Sequence, residues 1–383
     1  MPDQFSETTN KSWASRIVAS VKGIVFGLVL VIVSFGLLYW NEGRVDKSEI
    51  AKEATPMNAA EVADPSLSNK LVAASGRLSS QETLGDGLYL VPGNYVVVDR
   101  IVEMYAWIEE TKSESKTNMG GSETTETSYT YRKDWVPTPM RSENFKYPEG
   151  HENPAKNLQD NRAFVQNAKV GNYALDMRDI TLPTLSPVVL TEGTVQLSDG
   201  AILQGQQFVF KGIGTPTAPQ VGDTRIQYQV LRPGIDALVL GKLSGQKIIT
   251  YTDVTRDNEK LYRLFEGGDL NSAIGTLATE HTRSLWLLRL LGFALMWFGL
   301  SSILGPISVV LDVFPVFGSI SRGAVGLIAF VTALALTIVT VVVSLIAHSL
   351  IAVVIAALLV LGVGVWWFIQ KKRKAKIMPQ QTM

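Results

Sequence analysis

The sequence contains no cysteine, and charged residues are scarce. Without cysteine the chain forms neither disulfide bonds nor thiolate zinc sites, and this absence is compatible with either side of a membrane. Only 18% of the residues are charged, and 35 basic residues balance 35 acidic ones. Because nucleic-acid binding calls for a basic domain or face, we expect no nucleic-acid partner.

Histidine is also rare, which limits catalytic and metal chemistry. The three histidines are His151, His281 and His348. His281 and His348 adjoin apolar runs, so neither is expected to meet a serine nucleophile. His151 lies in the turn-like "PEGHENP", where a structural or solvated role is favoured. A three-histidine zinc site would require the central region to fold onto the membrane face. We expect no enzyme activity, cofactor or metal.

Apolar residues are abundant and concentrated in four runs. The chain is 46% hydrophobic with a mean hydropathy of +0.16. The charge-free runs are 23–40, 290–311, 323–347 and 349–369. Each approaches or exceeds the roughly 20 residues that cross a hydrocarbon core of about 30 Å. We therefore predict four transmembrane helices, one N-terminal and three C-terminal, in a lipid bilayer. The first is expected to be an uncleaved anchor, because it is long and ends in "LLYWNEGR" rather than a small-residue cleavage site.

Basic residues near the ends of the runs predict the orientation. Lys11, Arg16 and Lys22 precede the first run, Arg322 lies between the second and third, and "KKRKAK" (371–376) follows the fourth. The positive-inside rule assigns all of these to the cytoplasm. The predicted segments are a cytoplasmic tail (1–22), a span (23–40), an exoplasmic domain (41–285), a span (290–311), a cytoplasmic loop (312–322), spans at 323–347 and 349–369, and a basic cytoplasmic tail (370–383).

The long segment 41–285 is predicted to be rich in β-strands. Short alternating runs recur between turn signals such as "VPGN" and "LRPG". The runs are 95–107, 127–135, 194–197, 201–210, 224–230, 237–243 and 247–251. The polar stretch 111–126 is predicted to be an exposed hairpin loop, and 50–63, 151–169 and 257–288 are predicted to be more helical. The fold class is thus an α+β membrane protein with a large β-rich exoplasmic domain.

The stretch "IVEMYAWIEE" (101–110) raises the question of a catalytic carboxylate pair. As a strand it places Glu103, Tyr105, Trp107 and Glu109 on one face. Glu103 and Glu109 are then roughly 20 Å apart, beyond the widest glycosidase spacing of about 9.5 Å. An ion pair across strands with Arg132 or Lys133 is favoured for Glu103, although a neighbouring carboxylate such as Asp134 stays an alternative. Tyr105 and Trp107 are expected to pack across strands.

The predicted spans contain no ionisable residue, which argues against a transporter. The third span does carry small and weakly polar residues at steps of three and four: Ala329, Ala333, Thr337, Thr340 and Ser344, followed by His348. Such a stripe allows close helix contact and hydrogen bonding. Packing inside one bundle and self-association between protomers are both open, and the stripe is a candidate for assembly.

Six collinear motifs carry a resemblance to a known family. They are "NEGR" (41–44), "VEMYAW" (102–107), "YTYRKDW" (129–135), "HENP" (151–154), "VGDTRIQYQV" (221–230) and "DVFPVFGSI" (312–320). In these motifs and their order the chain resembles the transmembrane protein 43 (LUMA) family. The candidate structural motif within them consists of Glu103, Tyr105, Trp107, Trp135 and Asp223. The loops and tails differ from those of the animal members.

The resemblance implies a four-pass protein that organises membrane and protein complexes, without established enzymatic activity. We expect a non-enzymatic scaffold that forms a homo-oligomer, associates with other membrane proteins and acts through its exoplasmic domain. The alternatives are a membrane-anchored enzyme with a site where the domain meets the bilayer, and a lipid-handling or channel protein. We expect a bacterial homologue in the cytoplasmic membrane with a periplasmic domain. The alternative is the endoplasmic reticulum or inner nuclear membrane with a lumenal domain.

Overall fold

The computed structural model describes residues 3–62, 64–312 and 315–348, which form two units. The β-rich unit comprises the residues up to Thr8 together with Val45–Glu114 and Thr125–Glu280. The helical unit comprises Thr9–Arg44, Ser115–Thr124 and the described residues from His281 onward. The fourth predicted span, 349–369, lies outside the described residues.

The described residues form four α-helices, two short 3-10 helices (Pro65–Leu67 and Ser142–Asn144) and seventeen strands. The helices are α1 (Trp13–Glu42), α2 (Lys47–Ala51), α3 (Leu270–Leu311) and α4 (Pro315–His348). The strands are β1 (Gln4–Lys11), β2 (Thr55–Asn58), β3 (Leu71–Ser79), β4 (Val97–Thr117), β5 (Glu123–Val136), β6 (Asn161–Phe164), β7 (Lys169–Val170), β8 (Tyr173–Leu175), β9 (Ser186–Pro187), β10 (Ile202–Gln204), β11 (Phe208–Lys211), β12 (Thr224–Leu231), β13 (Asp236–Ser244), β14 (Lys247–Ile249), β15 (Tyr251–Asp253), β16 (Glu259–Leu261) and β17 (Arg263–Glu266).

The first sheet has the order β1-β5-β4-β12-β11-β10, with β6 paired to β4 and β9 paired to β12. Strand β12 and the first half of β4 follow the period-2 pattern of a sheet with one buried face. In β12, "TRIQYQVL", the side chains of Ile226, Tyr228 and Val230 are buried and the residues between them are half-buried. The antiparallel register pairs Arg225 with Glu103 of β4.

The second sheet has the order β17-β13-β14-β8-β7-β3-β2, with a further β13–β3 pairing. The central strand β13 contains the continuous apolar run "ALVLG", which is buried at every position because neighbours cover both of its faces. Val239 belongs to a cluster that also contains Val97 of the first sheet. The two sheets therefore share a core. On the other face, Leu238 packs with Ile50 of α2 and Leu277 of α3.

Three helices in the described part of the chain, α1, α3 and α4, are long and apolar enough to cross a membrane. Pairs of close contacts show that α1 and α3 are antiparallel. Ser34 Oγ donates to the Gly292 carbonyl at 2.7 Å, and a Cβ at Gly27 would lie 2.5 Å from the Gly299 carbonyl oxygen. Ser344 Oγ of α4 donates to the Tyr39 carbonyl at 3.0 Å. Helix α4 therefore also packs on α1.

The α+β class and the β-rich central region are confirmed, whereas several sequence-based boundaries are wrong. The region 151–169 contains β6 and extended chain rather than a helix, and 50–63 contains only the end of α2 before β2 begins. The polar stretch 111–126 is mostly strand, because β4 continues to Thr117 and β5 begins at Glu123. Within the predicted tail 1–22, residues Gln4–Lys11 form the edge strand β1 and α1 begins at Trp13. Alternation marks a strand only where one face is buried, so these polar strands gave no signal.

Candidate functional site

The "VEMYAW" strand has the predicted two faces, but Glu103 has a different partner from the one predicted. Val102, Met104 and Ala106 are buried, as the alternation indicates. Arg225 Nε donates to Glu103 Oε2 at 2.5 Å, so the predicted pairing with Arg132 or Lys133 is wrong. The physical reason is the strand order, since β12 lies beside β4 and its register places Arg225 opposite Glu103.

Arg225 links the ion pair to the aromatic residues of the motif. Its guanidinium carbon lies 4.9 Å from the centre of the Trp135 ring and 4.5 Å from that of Phe208. Tyr105 packs on Trp135 with 5.3 Å between ring centres. The structure thus brings Glu103, Tyr105 and Trp135 together around one cation, which is a packing arrangement that stabilises three neighbouring strands.

Trp107 belongs to a second aromatic cluster around His151. The His151 ring is buried, stacks on Tyr131 at 3.9 Å and meets the Trp107 ring edge-on at 4.7 Å. Its Nδ1 lies 3.1 Å from the Tyr147 carbonyl oxygen. Phe5 of β1 stacks on Tyr147 at 4.3 Å between ring centres. The cluster therefore fastens the first strand of the chain to β5 and to the loop that carries His151.

Glu109 is bonded to this cluster through Tyr131. The Tyr131 hydroxyl donates to Glu109 Oε2 at 2.5 Å, and the Lys146 amide donates to the same oxygen at 2.6 Å. Burial and then the bond to Glu109 raise the pKa of the Tyr131 phenol to about 12. Tyr131 is held as a neutral donor. Glu103 and Glu109 thus have separate structural partners and do not form a carboxylate pair.

Two buried aspartates organise turns of the β-rich unit. Asp223 accepts amide protons from Ile213, Gly214 and Gln220 at 2.9, 3.2 and 2.7 Å. These bonds close the glycine-containing turn that precedes β12, so these three amides are already occupied and the turn has a structural role. The Asp223 carbonyl also accepts the Tyr105 amide at 2.8 Å.

Asp86 was not identified from the sequence, although its carboxylate accepts from five donor groups of the chain. Its Oδ1 accepts from the amides of Leu88, Tyr89 and Leu90, all within 3.1 Å. Its Oδ2 accepts from the Tyr228 hydroxyl at 2.7 Å and from Arg100 at 3.1 Å. Burial and this carboxylate raise the pKa of Tyr228. The short sequence "GDG" indicates a turn, but it does not indicate that Asp86 binds Tyr228 and Arg100.

The candidate assembly stripe lies mainly inside the bundle of a single chain. Ala329, Ala333, Thr337 and Ser344 are buried, and Thr340 is half-buried with its hydroxyl bonded to the Leu336 carbonyl at 2.7 Å. Ala333 packs with Val31 of α1 and Met296 of α3. These contacts favour packing within the bundle over self-association.

Polar contacts join α1 and α3 at the end where α1 finishes, and the "NEGR" motif supplies them. Asn41 Nδ2 donates to the Leu285 carbonyl at 3.1 Å, and Arg44 donates to Ser284 Oγ at 3.0 Å. Glu42 receives two bonds from the Arg289 guanidinium, at 2.8 and 2.7 Å. The charge of Arg289 is therefore paired within the chain.

A buried ion-pair cluster joins the helices at the opposite end of the bundle. Asp312 is fully buried and accepts from Arg16 at 2.6 Å and from Arg322 at 2.8 Å. Glu123 lies 3.4 Å from the Arg16 guanidinium. The sequence marks Arg16 and Arg322 only as basic ends of spans, since pairing between residues 296 positions apart leaves no local pattern.

A sequence profile of the Transmembrane protein 43 family matches residues 104–350. Transmembrane protein 43 of the rat is 28% identical over 345 residues, which cover 85% of this chain and 84% of the rat protein. The human protein is 26% identical over 355 residues, covering 87% and 86% of the two chains. The Drosophila melanogaster homologue is 27% identical over 316 residues and 78% of each chain. No solved structure matches this chain.

Proposed function

The chain belongs to the Transmembrane protein 43 family, and from this premise we propose that it is a non-enzymatic scaffold in the membrane. It organises membrane-protein complexes or membrane domains through its β-rich domain and through self-association. The observation that carries the proposal is that the buried carboxylates all have hydrogen-bond partners within the chain. Asp86, Asp223, Glu42 and Asp312 are each bound by donors of the chain itself, which suits a rigid support.

We propose that the basic end of the bundle faces the cytoplasm. Lys22 and Arg322 lie at this end of the apolar segments, and the basic stretch 371–376 follows the last predicted span. The β-rich domain then lies on the exoplasmic side, which in a bacterial cytoplasmic membrane is the periplasm. In an animal-type cell it is the lumen of the endoplasmic reticulum or the nuclear envelope.

The oligomeric state tests the scaffold proposal. Two differently tagged copies expressed together should purify together in mild detergent, and the native mass should be a defined multiple of the chain mass. Mixing the two tagged copies only after solubilisation is the control for non-specific association. A chain that is monomeric in the membrane by single-molecule photobleaching contradicts the proposal.

The enzyme alternative is tested at Glu103, whose ion pair is half-buried. Glu103→Gln should leave the fold, the insertion and the cellular phenotype intact, because half-exposed ion pairs contribute only about 1 kcal/mol. Arg225→Gln removes the same pair from the other strand, together with the contacts of the guanidinium with Trp135 and Phe208. If Glu103→Gln alone abolishes the phenotype in a folded protein, the carboxylate acts in chemistry and the scaffold proposal fails.

Lipid handling is the second candidate, and a groove on the bundle favours it. An apolar groove of about 360 Å³ lies between α3 and α4, lined by Trp286, Leu290, Phe293, Leu334, Ile338 and Val342. The Thr337 hydroxyl, which also lines it, has no hydrogen-bond partner among the described residues. If the groove holds lipid, Ile338→Trp should release a lipid that is retained through detergent purification of the wild type.

A further inference from the structure

Strand β1 is an end strand of the first sheet, and one of its two edges has no partner strand in the part of the chain that the structure describes. At its other edge, the Asp3 carbonyl accepts the Tyr131 amide of β5 at 2.8 Å. Seven residues later on β1, the Asn10 side chain accepts from Thr124 Oγ1 of β5 at 2.7 Å. Tyr131 and Thr124 are also seven residues apart, in the reverse order, so β1 and β5 are antiparallel in one continuous register.

This register determines which main-chain groups of β1 point to the open edge. In an antiparallel pair, residues that bond to the neighbouring strand alternate with residues whose amide and carbonyl groups point away from it. Asp3 is bonded to β5, so the odd-numbered residues of β1 face that strand. The groups that point to the open edge therefore belong to Gln4, Ser6, Thr8 and Asn10, all of which are exposed.

The open edge of β1 lacks the features that usually protect an edge from pairing with another chain, which are short length, proline and charge. The end strands β2, β10 and β17 have only three or four residues, and β2 contains Pro56. Strand β4 extends past the end of β12, but this extension carries Lys112, Glu114 and Lys116. Strand β1 has eight residues, no proline and no charge at its four outward positions, so it is suited to pairing.

We infer that two copies of this chain associate through their β1 strands, which pair in antiparallel orientation about a twofold axis at Thr8. The inference rests on the self-association proposed above and assigns a surface to it. The candidate assembly stripe of α4 lies mainly inside the bundle of one chain, so another surface is needed. A strand that joins an open edge binds through main-chain hydrogen bonds, and twofold symmetry lets the same edge serve both copies.

The sequence of β1 favours this register because the strand is complementary to itself. When Thr8 lies opposite Thr8 of the second copy, Glu7 lies opposite Thr9 and no like charges meet. Lys11 lies opposite Phe5 and diagonally from Glu7 of the second copy, a distance that a long side chain can reach. A register centred on Glu7 would place two carboxylates directly opposite each other, which is destabilising.

Disulfide cross-linking tests the pairing, and the chain has no native cysteine to interfere. Residues directly opposite each other in a hydrogen-bonded pair have Cα atoms about 5.5 Å apart, which suits a disulfide. Thr8→Cys should therefore give a disulfide-linked dimer as the main product when membranes are treated with a mild oxidant.

Ser6→Cys is the matched control, because it is exposed on the same edge. In this register its two copies are offset by four residues, or about 13 Å, so it should stay unlinked. Ser6 lies opposite Asn10 of the second copy. Expression of Ser6→Cys together with Asn10→Cys should therefore restore the cross-link.

Proline substitution tests the pairing without dependence on the register. Thr8→Pro removes an amide that points to the open edge, so the bonds between β1 and β5 are retained. Thr9→Pro removes an amide that bonds to β5 and is the matched control for proline in this strand. We expect Thr8→Pro to abolish the co-purification of differently tagged copies, and to lower thermal stability less than Thr9→Pro does.

The possible failures of this inference and of the scaffold proposal give different results. Co-purification that persists in Thr8→Pro overturns the β1 pairing and leaves self-association in place. Cross-linking of Ser6→Cys alone, without Thr8→Cys, overturns the twofold axis at Thr8. Wild-type copies that do not co-purify contradict the self-association itself, and with it the pairing.

Discussion

The β-rich unit and the helical unit are stabilised in different ways. Large apolar side chains fill the interior of the β-rich unit, where Leu238, Leu240 and Ile226 are almost completely buried. The helical unit also has an apolar cluster, at Val31 and Met296, but many of its contacts are small or polar, with Gly27 against Gly299 in the middle and ion pairs at both ends. Many of its large apolar side chains point outward, as at Leu28 and Ile32.

The difference follows from the solvent of each unit. Burial of apolar surface stabilises a fold in water, because the alternative is hydration. In lipid the same side chains gain little by turning inward, so close backbone contact and hydrogen bonds select the helix partners. Substitutions of the same kind should therefore have opposite consequences in the two units.

The largest effect is expected where a buried charge loses its partner. Asp312→Asn leaves Arg16 and Arg322 without their shared carboxylate, and breaking a buried pair costs about 3–5 kcal/mol. We expect the largest fall in thermal stability in mild detergent and weaker contacts of Arg16 and Arg322 with residues 117–121. Asp257→Asn, in a turn of the β-rich unit, is the control for loss of a charge. An unchanged melting temperature would show that the cluster does not hold the bundle.

Replacing a leucine with alanine should change the stability of the two units by different amounts. Leu240→Ala removes a fully buried side chain of β13 and should cost about 2–5 kcal/mol. Leu28→Ala makes the same chemical change on a lipid-facing position of α1 that is 53% exposed, and should change stability by less than about 1 kcal/mol. Denaturation of both variants in the same detergent measures the difference. Comparable losses would mean that this face of α1 is covered by protein.

In the helical unit, replacing a glycine with a larger residue should be destabilising wherever the glycine contacts another helix. In Gly27→Leu the new Cβ would lie 2.5 Å from a backbone oxygen of α3, so α1 and α3 must separate at a cost of about 1–3 kcal/mol. Gly36→Leu is the matched control in the same helix, because no atom lies within 4 Å of its added Cβ. Disulfide cross-linking between one cysteine introduced in α1 and one in α3 reports the separation. Equal cross-linking yields for the two variants would contradict the packing.

Truncation of Trp107 is expected to have a smaller effect than its size suggests. The ring is half-buried and contacts His151 and the Lys133 ammonium, 4.4 Å from its centre. Trp107→Ala should therefore cost about 2 kcal/mol, below the 3–5 of fully buried aromatic residues. Trp107→Phe should recover most of this loss. A cost above about 5 kcal/mol would indicate that a partner protein covers the ring.

The smallest effect concerns pH and the Tyr131 phenol. Its pKa is raised in the fold to about 12 from an unfolded value near 10, so the neutral form stabilises the native state. This contribution is complete below pH 10 and is lost as pH rises from 10 to about 12. Phenolate absorbance of wild type against Tyr131→Phe measures the pKa. Titration of Tyr131 near pH 10 would show that the phenol is neither buried nor bonded to Glu109 in solution.

Regions with one buried face could be predicted from the sequence, whereas polar strands could not. The alternation of 101–108 correctly places Val102 and Met104 inside, and the charge-free runs correctly locate α1, α3 and α4. The extensions of β4 and β5 into "TKSESKTNMGGSETTE" show no alternation of apolar and polar residues, so the sequence predicts a loop there. The ion-pair partners of Glu103 and Arg16 depend on strand order and helix contacts that no local pattern encodes.

The sequence by itself determined the solvent of each segment, because hydrophobic periodicity and run length record which side chains meet water, lipid or a core. It also determined the family, through motifs whose residues pack strands and join helix ends. Only the tertiary structure decided which charges meet. Arg225 pairs with Glu103, and Asp312 joins Arg16 to Arg322. Pairing energy depends on a separation of a few ångströms between residues far apart in the chain, and that distance is set by the fold.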